Sequence, residues 1–162
     1  MDGPTRKSLL PSLMRDCAGT GVMELGLAMP MLLMLLLGTV DASRMIAAKI
    51  DMEQAAQRTT DYALARRPDS SNGTYLQTEA ASAAGVPTSD VTVDIYLECD
   101  GVRQTDFSIA CTAGQSQARY ASVTIDKTVD TVFDWSSLSS VVGSNLLPSA
   151  VTVQGDSVVR FQ

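Results

Sequence analysis

The stretch 20–40 reads TGVMELGLAMPMLLMLLLGTV. Glu24 is its one ionisable side chain, and Met31 to Leu37 is an unbroken apolar run. A helix of this length at ~1.5 Å per residue reaches about 30 Å, one hydrocarbon thickness. Pro30 lies inside it and is expected to kink or loosen the helix locally. Membrane helices tolerate such a proline better than soluble ones do. The stretch reads as a transmembrane helix.

The flanks give it a direction. Residues 1–19 form a short polar leader with Pro4 and Pro11, in which Arg6, Lys7 and Arg15 oppose Asp2 and Asp16. Residues 68–162 carry Arg103, Arg119, Lys127 and Arg160 against eleven acidic side chains. A weakly basic leader before an apolar segment favours a cytoplasmic N-terminus, which leaves the acidic remainder outside. Beyond Val40 the helix-forming composition persists but becomes amphipathic. Met45, Ala48, Met52, Ala55, Thr59 and Tyr62 recur at spacings of three and four, flanked by Asp41, Arg44, Lys49, Asp51, Glu53 and Arg58. Residues 22–65 therefore read as one continuous helix, roughly 66 Å long at ~1.5 Å per residue and half of it in lipid. Arg66, Arg67 and Pro68 supply the stop.

The 162-residue chain has a formal net charge of −6 and no histidine. That removes serine–histidine and cysteine–histidine pairs, HExxH zinc sites and imidazole proton shuttling. Its acidic balance argues against a nucleic-acid partner. Asp94, Glu98, Asp100 and Asp106 lack the spacing of a calcium loop, and Asp126, Asp130 and Asp134 read as a solvated face. No catalytic residue, metal or cofactor is expected.

Residues 68–162 predict a small α+β domain with an antiparallel sheet. Asp69–Gly73 reads as a turn, and Tyr75–Ala84 as an alanine-rich helix ended by Gly85 and Pro87. Val91, Val93, Ile95 and Leu97 alternate with polar residues in one strand, as Ala121, Val123 and Ile125 do in another. The serine-rich stretch 133–147 suggests a short helix around Trp135 and Leu138. Residues 150–161 predict a final strand or hairpin broken at Gly155-Asp156.

The entry to the apolar segment, Cys17-Ala18-Gly19-Thr20-Gly21-Val22-Met23-Glu24-Leu25, places small residues before the apolar run. A secretory signal places its small-residue cleavage site after that run. A glycine followed five positions later by glutamate and an apolar helix resembles the class III signal of type IV prepilins. Residues 21–30 with the leucine-rich run are similar, more specifically, to TadE/TadF minor pilins (pseudopilins) of the tight-adherence pilus system. Asp51-Met52-Glu53-Gln54-Ala55-Ala56-Gln57 matches the family's Ala- and Gln-rich continuation, and Val151–Phe161 its terminal strand. Leu25 departs from the family, where an aromatic is frequent, and Gly21 offers a competing cut.

The resemblance implies a mechanism. A prepilin peptidase in the bacterial inner membrane cuts between Gly19 and Thr20, and Glu24 becomes the fifth residue of the mature chain. A buried carboxylate needs a partner, and the new α-amino group of Thr20 on a neighbouring subunit supplies one. The plainer alternative has Glu24 snorkelling at the headgroup boundary. Implied partners are the peptidase, other pilins, Tad assembly-platform proteins and membrane lipid. Cys17 stays in reducing cytoplasm, whereas Cys99 and Cys111 fall outside, where a disulfide can form. That bridge conflicts with a straight hairpin at Asp100-Gly101 unless the chain loops, so a closed loop over 99–111 is expected, with strand 91–98 pairing with 119–127. The layout is leader 1–19, helix 20–67 and extracytoplasmic domain 68–162. Its rival function is an unprocessed single-pass anchor displaying a periplasmic scaffold or binding domain.

Overall fold

The structure is a computed structural model that describes residues 20–137 and 149–162. In chain order it contains helix α1 (Thr20–Ala65), helix α2 (Thr74–Ala84), a 3-10 turn (Thr88–Asp90), and strands β1 (Val91–Cys99), β2 (Val102–Arg103), β3 (Gln117–Asp130) and β4 (Ala150–Arg160). This is the expected α+β class. The chain divides into two units, Met1–Thr39 and Val40–Gln162.

In the first unit α1 continues through Pro30. The large apolar side chains from Val22 to Leu36 are all exposed, Leu27 by 78%. Among the described residues, α1 is one helix long and apolar enough to cross a membrane. Apolar surface of this kind is stable when hydrocarbon rather than water surrounds it.

The second unit is a four-stranded antiparallel sheet in the order β2-β1-β3-β4. Val91 pairs with Ile125 and Cys99 with Gln117, which joins the two alternating strands in the expected arrangement. The period-2 pattern sends Val91, Ile95, Leu97, Ala121, Val123 and Ile125 to one buried face. Residues of α1 beyond Val40 pack there with α2. Met52, 1% exposed, sits with Ala48, Ala55, Ala56, Val123, Ile125 and Val153 in one cluster. Leu76, Leu97, Phe107 and Phe161 anchor another with Ala63.

The helical stripe differs from its expected course at its end. Tyr62 is exposed, and Ala56, Thr60 and Ala63 are buried. Small residues bring the helix close to the sheet, leaving no room beneath it for a ring. Tyr62 instead meets Tyr75 edge-on at 6.3 Å.

Gly155-Asp156 does not break the last strand, contrary to expectation: β4 runs uninterrupted, with Gly155 opposite Ile125. The glycine marks a close approach, not a turn. A Cβ there would lie 2.3 Å from the Met52 carbonyl carbon and 2.5 Å from the Glu53 nitrogen. Flanking this contact, Lys49 Nζ donates to the Gln154 carbonyl at 2.7 Å, and the Thr60 and Ser157 hydroxyls lie 2.9 Å apart.

The hairpin and the disulfide coexist. Asp100 and Gly101 both adopt positive φ, 51° and 78°, as a tight two-residue hairpin demands. β2 ends at Arg103, and the chain then loops until Cys111 reaches Cys99, with 5.6 Å between the Cα atoms. The returning chain is tied at Asp100, whose N–H donates to the Ser116 carbonyl and whose carboxylate accepts the Ser116 N–H. Of the expected serine-rich helix, residues 135–137 are helical, and Leu138 lies outside the described residues.

Candidate assembly site and the anchor at Asp41

Gly19 and Cys17 lie outside the described residues, and Thr20 is the first residue of α1. Glu24 is on the second turn, exposed, with Leu27, Ala28 and Met31 following it on the same helical face. No described residue hydrogen-bonds or ion-pairs with the Glu24 carboxylate. Its capacity for an ion pair is thus unspent within the described chain. Cys99 and Cys111 are brought together as a disulfide that closes the loop after β2.

Four acidic residues of the second unit are engaged locally. Asp94 pairs with Arg103 at 2.6 Å, and the Arg103 guanidinium lies 4.2 Å over the Tyr96 ring. Tyr96 in turn stacks on Tyr120 at 5.3 Å, which makes a cross-strand ladder on the open face of the sheet. Asp106 accepts the Ser108 N–H, and Asp126 accepts from Gln154. Asp134 accepts from the Ser136 and Ser137 hydroxyls, which hold its carboxyl down at about 2.

Asp41 is the residue whose role the sequence did not disclose. It immediately follows the apolar stretch and is only 4% exposed. Its Oδ1 accepts the Val132 N–H at 2.7 Å, and its Oδ2 accepts the Trp135 indole N–H at 2.7 Å and the Phe133 N–H at 3.5 Å. These donors, Val132 and Trp135 foremost, hold its carboxyl below the ordinary carboxylate range. A buried carboxylate with three donors is satisfied rather than strained. One turn on, Arg44 donates to the Asp130 carbonyl at 3.3 Å. The chain following β3 is therefore latched to the start of the second unit's helix. A lone acid directly after an apolar run was the available signal, and its partners were 91 to 94 residues away in sequence.

The class defined by this fold is an α+β protein headed by a helix of membrane-crossing length and composition. Residues 19–61 match the family model described as TadE-like protein, consistent with a TadE-like protein of the Tad pilus. The match holds Thr20, Glu24 and Asp41 together and covers nearly the whole of α1. No curated protein and no solved structure matches the chain.

Proposed function

We propose that the chain is a TadE-like minor pilin, a structural subunit of a tight-adherence type IV pilus. In this reading it inserts into the bacterial inner membrane with residues 1–19 cytoplasmic and the sheet domain outside. A prepilin peptidase cuts between Gly19 and Thr20. The new amino group of one subunit then pairs with Glu24 of its neighbour, which neutralises both charges as apolar helices pack in register. Other pilins and the Tad assembly platform are its partners.

The single observation that carries this reading is the family match beginning at residue 19, with Glu24 the one ionisable side chain in the exposed apolar part of α1 and without a partner among the described residues. Intact mass of the protein from its native membrane tests processing. A chain starting at Thr20 is expected, and one starting at Met1 makes the protein a plain anchor. Glu24→Ala is expected to leave that mass unchanged and to reduce pilus incorporation. Wild-type pilus yield from the variant would refute the role of Glu24.

A further inference from the structure

The latch on Asp41 has a consequence at the membrane surface. A bilayer has about 30 Å of hydrocarbon within roughly 40–45 Å in all, leaving ~5–8 Å of headgroup layer on each side. Thr20 to Val40 suffices to cross the hydrocarbon at ~1.5 Å per residue. Asp41, the next residue in the chain and the first charge after the apolar run, then falls at the boundary where hydrocarbon gives way to headgroups. A group hydrogen-bonded to Asp41 stands in that same layer.

The group so held is chemically suited to it. The Trp135 indole N–H is fixed on Asp41 at 2.7 Å, and the half-buried ring meets Phe133 edge-on at 4.9 Å. Val132 beside them is 59% exposed. Tryptophan favours the bilayer interface because one end of the indole is polar and the rest apolar. The Arg44 hydrogen bond to Asp130 supplies a second tie between α1 and the end of β3.

We infer that the Val132–Trp135 segment is a membrane-contact element: held on Asp41, it seats Trp135 and Val132 in the interfacial layer of the bilayer that α1 crosses. The inference rests on the reading of α1 as a membrane helix. Its effect is to tether the sheet domain to the bilayer at two places, α1 and this segment.

Trp135 is the only tryptophan in the chain, so its fluorescence reports this site alone. The experiment uses the full chain in phosphatidylethanolamine/phosphatidylglycerol vesicles containing 5-doxyl or 12-doxyl phosphatidylcholine, with carbonate extraction on the same sample. Resistance to carbonate, with Trp135 quenched more by the shallow 5-doxyl probe than by the 12-doxyl probe, is the expected result. Resistance without doxyl quenching overturns the contact element and leaves the membrane helix standing. Loss of the protein to the carbonate supernatant overturns both. Asp41→Ala is expected to cut 5-doxyl quenching at least twofold while carbonate resistance stays unchanged. Unaltered quenching in that variant shows that the carboxylate does not hold the segment and overturns its role. The wild-type depth measurement decides the contact itself even where the variant folds poorly.

Discussion

Replacing Gly155 with alanine tests the closest approach in the second unit. The added Cβ would lie 2.3 Å from the Met52 carbonyl carbon and 2.5 Å from both the Met52 oxygen and the Glu53 nitrogen. Ordinary contact begins at 3.4 Å, so helix and strand must separate locally by about 1 Å. All three obstructing atoms are backbone, and no rotamer change relieves them. Overpacking of this kind costs roughly 1–3 kcal/mol, and rigid surroundings argue for the upper end. Alanine recovers roughly 0.5–1 kcal/mol in a strand because glycine loses more backbone entropy on folding. The net expectation is about 2 kcal/mol of destabilisation, or roughly 8 °C in melting temperature for a domain of this size. The assay is thermal unfolding of the full chain in mild detergent, followed by near-ultraviolet circular dichroism. Met52→Ala, at a side chain 1% exposed, is expected to cost about 3 kcal/mol by itself. The double variant should be no more stable than either single one. A Gly155→Ala protein within ~0.5 kcal/mol of wild type refutes the close approach, as does rescue of Gly155→Ala by Met52→Ala, which would place the clash on a side chain.

Two further perturbations address the remaining supports of the domain. Reducing the Cys99–Cys111 bridge, or replacing both cysteines with serine, releases a loop with sequence separation 12. On the chain-entropy account this costs about 3 kcal/mol, visible as a lower urea midpoint, and an unchanged midpoint refutes it. Acid should destabilise the same unit. Asp41 and Asp134 titrate below the ordinary carboxylate value of 3.8 when folded, Asp134 at about 2. A depressed folded value gives stability that is complete above the unfolded value and lost as pH falls through the folded one. With no histidine in the chain, the melting temperature is expected to hold between pH 7 and 5 and to decline from about pH 4 towards 2. A decline already complete by pH 5 contradicts the assignment.

Local periodicity made the elements legible; contacts distant in sequence stayed hidden. Val91 to Leu97 and Ala121 to Ile125 each carry a period of two, which made both strands readable, and their pairing followed from the loop that the Cys99–Cys111 bridge has to close. Ala48, Met52, Ala55 and Thr59 showed the buried face of α1 by the same logic at helical spacing. Gly155 misled because a glycine needed for helix contact looks the same in sequence as one needed for a turn. Cys99 and Cys111 could be paired by compartment and count, yet the coexisting hairpin depended on β2 being only two residues long. Asp41 resembled any charged residue after a membrane segment, since nothing local to it announces Val132 or Trp135 as partners.

Glu24 lies inside the apolar stretch and Asp41 directly after it, and their different surroundings separate two uses of a carboxylate. Asp41 is 4% exposed and receives the Val132 and Trp135 N–H groups at 2.7 Å each. Its charge is satisfied inside one chain, and it serves to hold that chain's own fold. Glu24 is exposed and has no such donor among the described residues. A carboxylate in hydrocarbon is costly unless a donor or cation meets it. Water and headgroups meet that need only at the membrane boundary. In the proposed assembly, the amino group of a second chain is the partner that meets it. Because the Asp41 anchor is complete within the monomer, Glu24→Ala should disturb association and leave the domain's melting temperature unchanged, whereas Asp41→Ala should lower that temperature. Equal loss of thermal stability in both variants would show that Glu24 supports the monomer fold and would end its assignment to assembly.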